Sequence, residues 1–482
     1  MTKKTEIYCR RQNLFLLFIL IMSAFLRFYQ LGYSHFYGDE IKTLYLRKDV
    51  SAFNFLMNQR KGPVQFVTSW VAEKISGGYD ELWIRLPYAA AGTLLVYIFY
   101  YFVRQNFGIA PALYSSLFFS LSGFNIAFSR TAQYQVWYLL FGFLCLILAK
   151  TYADKGKLCV LAASAGCLSL ALLSHYDAVF FLIPLYFIIN KKTFFKIALL
   201  GLAFTSLFYI PNIYSGFFES NTFGYISKRL SGLVYQKNNS LYTIFVYNPL
   251  YVYPLALLVL SIVGLKNAKA EHKNLLLAWF FIPFAIFQLL ILNPGTHINN
   301  YLIPLSILAG LGASYLLNSS VKYKPYVFLT FTTLLGLICA IQIWTYIPGV
   351  NAGYPWKEAR LFGITTQRVG DDYQLYLYGF PYRRGWDKIG QYMNTVKGVR
   401  NFYTNDNEVV AEYYLNIAPY TAPGSNFLPQ YYIQIDNPQE LKQKPEIPLV
   451  DQYNVILESG IGEVKIFKLK PVEVKIGAKA AL

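Results

Sequence analysis

The chain reads as a polytopic α-helical membrane protein followed by a small soluble α/β domain, and three observations lead there. Of its 482 residues 55% are hydrophobic and 14% charged, more apolar surface than one water-soluble core can hide. Runs of about 17–25 mainly apolar residues recur, each long enough to cross the hydrocarbon layer of a bilayer. Charge is uneven as well: residues 348–482 carry 15 basic and 14 acidic residues, so only +1 of the formal +18 lies there and +17 belongs to the apolar part.

Eleven spans are expected, about 13–31, 83–103, 109–127, 132–152, 158–174, 176–190, 197–216, 249–265, 274–292, 300–318 and 326–347. The two short ones, 158–174 and 176–190, fit tilted helices or a shared re-entrant turn. Lys and Arg in short loops orient the set. One group of loops holds Lys3, Lys4, Arg10 and Arg11; Arg104; Lys155 and Lys157; Lys191 and Lys192; Lys266, Lys269 and Lys273; Lys322 and Lys324. These alternate with loops around Asp39-Glu40, Ser129-Arg130, Ser174-His175, 217–248 and 293–299. The amino terminus is therefore read as cytoplasmic, and an odd number of spans puts residues 348–482 outside. The basic excess then anchors the chain beside the anionic headgroups of membrane lipids. A nucleic-acid partner would need charge clustered on a soluble face, so none is expected. Cys9, Cys145, Cys159, Cys167 and Cys339 are scattered in or beside apolar spans, which excludes a disulfide frame or zinc knuckle. The first span has a basic flank and no small-residue cleavage site before His35, as a retained anchor does.

The expected organisation is a membrane domain, 1–347, and an extracytoplasmic soluble domain, 348–482. Two outer loops are long, 32–82 and 217–248, and long structured loops tend to be binding surfaces or lids. In the first, apolar residues recur at helical spacing over 49–57, as in a helix lying in the interface. The second carries Lys228, Arg229, Lys237 and many aromatics. In the soluble part, strands are expected at Leu375–Tyr378, Tyr431–Ile435, Gln452–Leu457 and 464–469, and helices at Trp386–Val396 and Glu408–Leu415.

Among only 11 acidic residues up to position 347, Asp39 and Glu40 stand side by side where the chain leaves the first span. Their plain reading is a helix start, which acids favour. Further clusters follow at outer span ends: Gln59-Arg60-Lys61-Gly62-Pro63-Val64-Gln65-Phe66, then Leu82-Trp83-Ile84-Arg85-Leu86-Pro87. Next come Phe128-Ser129-Arg130-Thr131-Ala132-Gln133-Tyr134, Leu173-Ser174-His175-Tyr176-Asp177, and His297-Ile298-Asn299-Asn300-Tyr301-Leu302-Ile303-Pro304. Arg60, Lys61, Arg85 and Arg130 have snorkelling at the membrane edge as their plain reading. A basic residue on the outer side runs against the usual bias, which favours function. His35, His175 and His297 fall on the outer face; imidazole and carboxylate together can hold a divalent metal, but no tight ligand spacing is present in the sequence.

This ordered set resembles the C-type-fold, polyprenyl-phosphate-sugar-dependent membrane glycosyltransferases, which include protein O-mannosyltransferases and lipid A aminoarabinose transferases. The resemblance covers roughly residues 15–320. It rests on the acidic pair in the first outer loop, a downstream Pro motif, Arg85-Leu86-Pro87 opening a span, the Ser129-Arg130 turn and the late Tyr301-Leu302-Ile303-Pro304. Two departures stand out: many relatives have His or Lys followed by two prolines where this chain has Lys61-Gly62-Pro63, and often a second Arg where it has Gln133.

The resemblance implies the C-type fold and an inverting hexosyl- or pentosyltransferase at the outer face of the cytoplasmic membrane, serving the cell envelope. Its partners would be a polyprenyl-phosphate-linked sugar donor and an acceptor lipid, glycan or protein. Asp39 would be the general base toward the acceptor hydroxyl, with Glu40 orienting acceptor or metal. Phosphate is already a competent leaving group, so one carboxylate suffices where a glycosidase needs two. Arg60, Lys61, Arg85, Arg130, Tyr134, His175, His297 and Tyr301 would bind the donor, Arg60 and Lys61 foremost at its phosphate. Other readings are a polymerase or ligase using a diphosphate-linked oligosaccharide, a transporter or flippase, and a non-catalytic assembly subunit. A transporter would place ionisable groups mid-membrane, and here Asp and Glu avoid the span centres.

Overall fold

The computed structural model describes residues 3–46, 49–224, 226–227, 240–291, 296–318, 324–350, 353–370, 377–396, 398, 401–417, 430–435, 453–458 and 464–469. Lys228, Arg229 and Lys237 of the second long loop lie outside them. By packing, the chain forms two units. The first comprises Met1–Ser34, Thr43–Val369 and Tyr376–Pro381; the second comprises His35–Lys42, Gly370–Leu375 and Tyr382–Leu482.

In the first unit, seven helices are long and apolar enough to cross a membrane: Arg10–Phe28, Glu81–Phe107, Gln135–Lys155, Lys191–Tyr214, Ala270–Leu290, Asn299–Asn318 and Lys324–Tyr346. Two bent pairs bring the count to nine, Ile109–Leu121 with Gly123–Ser129 at 63° and Leu241–Tyr247 with Val252–Asn267 at 119°. The remaining two expected spans are the shorter apolar helices Leu158–Leu172 and Tyr176–Ile188. All eleven apolar runs are thus helical, and nine meet the length of a crossing among the described residues.

Breaking a helix in an apolar setting frees backbone groups that need new partners. Asn248 provides them at both bends. Its side-chain oxygen accepts the Gly123 N–H at 2.9 Å and the Gln342 amide at 3.0 Å, while its nitrogen donates to the Ile244 carbonyl. Helix starts are fixed locally as well: the Asp80 carboxylate accepts the Leu82 and Trp83 N–H groups, and the Asn190 side chain accepts that of Thr193. The stretch Tyr376–Pro381 joins this unit through Tyr378, whose N–H donates to the Tyr247 hydroxyl, and through Phe380, buried against the Tyr247 and Tyr346 rings. That explains the missing strand near 375–378: Leu377 and Tyr378 make no ladder, and residues 375 and 376 lie outside the described ones. A hairpin of β1 (Ala359–Leu361) and β2 (Ile364–Thr366), not expected from the sequence, precedes it.

The second unit holds a four-stranded sheet in the order β3 (Phe402–Thr404), β4 (Tyr431–Ile435), β6 (Val464–Leu469), β5 (Tyr453–Glu458). β3 and β4 run parallel and the other pairs antiparallel. The Trp386–Thr395 helix buries Ile389 and Met393 of the face Ile389–Tyr392–Met393 that its periodicity predicts, with Tyr392 half-buried and Trp386 buried as well. The Glu408–Leu415 helix is capped by Asn407, which accepts the Val409 and Val410 N–H groups. The three-residue β3 is also not expected from the sequence, too short for its alternation to register.

Candidate active site

In the first unit the sequence clusters at 59–66, 128–134, 173–177 and 297–301 supply one group of side chains, and a glycine explains how. The turn Gln59–Gly62 closes with the Gly62 N–H on the Gln59 carbonyl, at φ +104° for Gly62. A Cβ there would stand 2.0 Å from the Leu173 carbonyl oxygen. Proline, fixed near φ −65°, fits neither that conformation nor that approach. Gly62 thus accounts for the departure from a double proline: it lets the Lys61 turn lie against the turn that carries His175. The Val64 N–H reaches the same carbonyl at 3.4 Å, and the Gln65 amide donates to the Ala132 carbonyl.

The Lys61 ammonium lies over the Tyr134 ring, 4.0 Å from its centroid. The Tyr134 ring in turn stacks on His175 at 3.9 Å and 10°. Next to His175 is Asp177, which was not singled out from the sequence. Its carboxylate meets both imidazoles, with Oδ1 3.1 Å from His175 Nδ1 and Oδ2 2.7 Å from His297 Nδ1. Asn300 also donates to Oδ2 at 2.8 Å and accepts from the Tyr138 hydroxyl. His175, Asp177, His297 and Asn300 are buried. A low-dielectric surrounding makes such a network strong when satisfied and costly when not.

His175 has one nitrogen to spare. Nδ1 lies 3.1 Å from both the Asp177 backbone nitrogen and Asp177 Oδ1; when it accepts the N–H the neutral ring carries its proton on Nε2, and when it donates to Oδ1 Nε2 is an acceptor. Protonating the ring turns Nδ1 toward Asp177 Oδ1 and makes Nε2 a donor. That Nε2 is buried and has no hydrogen-bond partner among the described residues. As a donor, that nitrogen suits an anion.

His175, Asp177 and His297 also have the composition of a divalent-cation site, with ligand atoms within 4.8 Å of one another. The tight spacing missing from the sequence arises only in the fold. As the group stands, however, Asp177 Oδ2 receives His297 and Asn300, and His175 Nδ1 receives an amide N–H. A metal bound through Nδ1 of either ring would replace these hydrogen bonds.

The other sequence candidates lie elsewhere. Arg85 donates to the Leu31 and Ser34 carbonyls at 3.3 and 2.7 Å. Arg130 donates to those of Leu26, Arg27, Tyr29 and Gln30, at 2.9, 3.4, 3.0 and 3.5 Å. Both are buried; Arg130 satisfies carbonyls at the end of the first helix, groups a helix C-terminus leaves unpaired, and Arg85 those of the turn that follows it. Arg60 is half-buried and its carbonyl accepts from Thr222. Tyr301 packs edge-on against Phe280 and Phe284.

Asp39 and Glu40 belong to the second unit, in the one-turn helix Gly38–Ile41. Glu40 is buried and its Oε2 accepts the Tyr37 N–H at 2.8 Å, the capping role that was its plain reading. Asp39 is half-exposed and pairs with Lys42 at 3.0 Å. Nearby, His35 Nδ1 accepts the Arg384 N–H and Nε2 donates to Asp387 at 3.1 Å. That hydrogen bond holds the Asp387 carboxyl well below the usual carboxylate range.

A family model described as dolichyl-phosphate-mannose-protein mannosyltransferase matches residues 60–214. A search of curated proteins gives no match. Among solved structures the chain is similar to ArnT from Cupriavidus metallidurans bound to undecaprenyl phosphate, at 11% identity and TM-score 0.58, over 94% of this chain and 97% of that one. The apo form of ArnT gives TM-score 0.55 at the same identity and coverage. The Archaeoglobus fulgidus oligosaccharyltransferase in the apo form gives 12% identity and TM-score 0.50, over 87% of this chain. The chain spans 61% of that enzyme's length. The expected fold is met: the chain is mostly helical with small sheets in its later part, and its fold is like that of ArnT.

Proposed function

We propose that the chain is an inverting membrane glycosyltransferase that moves one sugar from a polyprenyl phosphate to an acceptor at the outer face of the membrane. The observation that carries this reading is the Lys61–Tyr134–His175 group: an ammonium and a buried imidazole nitrogen with no partner among the described residues, set on an Asp177-anchored frame. The match over 60–214, which includes Lys61, Tyr134 and His175, and the fold shared with ArnT support it.

In the reaction the acceptor hydroxyl attacks the anomeric carbon as the bond to phosphate breaks. Its proton passes to the Asp39 carboxylate, ionised at neutral pH. Negative charge grows on the departing phosphate, so a fixed ammonium and an Nε2–H donor stabilise the transition state more than the ground state. Tyr134 holds the ammonium by its ring face. Glu40 shapes the turn that bears Asp39, and Arg60 continues the basic edge of the Lys61 turn.

Two experiments test the reading. In a deletion strain, mass analysis of lipids and glycans should show one sugar missing, restored by the wild-type chain. Asp39→Asn keeps the shape but removes the proton acceptor, and should restore about 10²–10⁴-fold less. Full restoration by that variant rejects Asp39 as base. For sidedness, Asn58→Cys and Lys388→Cys, both at exposed positions, should label with an impermeant thiol reagent in spheroplasts of a Cys-free background. Protection of both until lysis rejects an outer-face reaction.

A further inference from the structure

The acidic turn is built as part of the second unit, and this is where the soluble tail acquires a role. The segment His35–Lys42 is held at successive points by residues from beyond 380. The Phe36 N–H donates to the Tyr414 hydroxyl at 2.8 Å, and its ring meets Tyr413 edge-on. The Phe36 carbonyl accepts from the Arg384 guanidinium, whose backbone N–H donates to His35 at 3.0 Å. Arg384 is fixed by Asp406 at 2.9 Å, and Asp406 also accepts the Trp386 indole N–H at 2.8 Å. Arg384 and Asp406 are 3% and 0% exposed, so the ion pair is paid for in desolvation and is of use chiefly if it sets geometry. Gly38 leaves no spare room: a Cβ there would lie 2.6 Å from Asn407 Nδ2, and Asn407 is engaged as the cap of the Glu408–Leu415 helix.

We propose that the soluble tail is the positioning frame of Asp39, with Arg384, Asp406, Asn407 and Tyr414 fixing the backbone of residues 36–38 and hence the carboxylate one residue on. The inference rests on Asp39 being the base. It gives the tail a part in the chemistry without any tail residue touching substrate. A base must lie within hydrogen-bond reach of the proton it takes, and a misplacement near 1 Å costs on the order of 10²-fold.

A size-swap cycle in the full-length protein tests it. Gly38→Ala should push Asn407 aside and loosen the turn, while Asn407→Ser keeps a capping oxygen and opens the space. Three quantities are measured: hydrogen exchange of the 36–41 amides, sugar transfer per folded molecule in the deletion strain, and affinity for undecaprenyl phosphate. Gly38→Ala should speed exchange and lower transfer about tenfold, with undecaprenyl phosphate affinity within twofold of wild type. Adding Asn407→Ser should recover exchange and transfer together. Tyr414→Phe should speed exchange at Phe36 and lower transfer in the same direction. Unchanged exchange in Gly38→Ala, faster exchange with normal transfer, or a loss that Asn407→Ser does not recover, each overturns the proposal while leaving Asp39 as base. Normal transfer by Asp39→Asn overturns the base assignment itself, and with it the frame's purpose.

Discussion

Lys61 and Arg130 look alike in the sequence, each a cation at an outer span end beside a polar turn, yet the fold gives them different work. Arg130 reaches four carbonyls at the end of the first helix. Arg85 reaches two in the turn that follows it. Lys61 instead lies over a tyrosine ring that stacks on a histidine, one nitrogen of which has no partner among the described residues. The histidines divide the same way. His35 has Nδ1 and Nε2 engaged by Arg384 and Asp387, whereas His175 Nε2 has no partner among the described residues. Sequence position alone therefore does not tell these side chains apart; the difference lies in where their polar atoms are directed.

The largest expected break in this comparison comes from Arg130→Ala. Hydrogen bonds to a charged group contribute about 1.5–3 kcal/mol each, so losing the two shortest should destabilise the chain by about 3 kcal/mol or more. The melting temperature in detergent should fall clearly, while affinity for undecaprenyl phosphate in the folded fraction stays within twofold. The reverse pattern, weak binding at normal stability, would move Arg130 into the phosphate group.

A smaller effect separates the two histidines. The Asp387 carboxyl is held below its unfolded value, near 3.9, by the His35 hydrogen bond. Its contribution to stability is whole above about pH 4 and fades as pH falls through the depressed folded value. The wild type should melt slightly above Asp387→Asn at pH 7, and the gap should close on acidification below pH 4. The carboxylate is 40% exposed, so the gap is small. No gap at pH 7 would mean that His35 does not hold the carboxyl down.

Much of this was legible in the sequence, for identifiable reasons. The eleven apolar runs follow from length and composition, and order along the chain picked out Lys61, Tyr134, His175 and His297 before any contact was known. Asp177 stands two residues from His175 and was passed over, because only the fold brings His297 within 2.7 Å of it. An acid close after a histidine at a span end was the available signal. The work of Arg85 and Arg130 was hidden for a like reason: their partners are backbone carbonyls some 50 to 100 residues away, which no side-chain pattern records. The β1–β2 hairpin has three-residue strands around Phe362-Gly363, too little alternation to detect.

The central claim is that Lys61 serves a phosphate while its arginine counterparts serve the backbone. The direct measurement is the affinity of purified Lys61→Ala for undecaprenyl phosphate, taken beside its melting temperature. Losing a charge at a partly desolvated phosphate should weaken binding by about 2–4 kcal/mol at nearly unchanged stability. Lys61→Arg should recover part of it, since charge is kept but a planar fork replaces a point ammonium. Wild-type affinity in Lys61→Ala, with stability alone reduced, would contradict the account and make Lys61 an anchor like the rest.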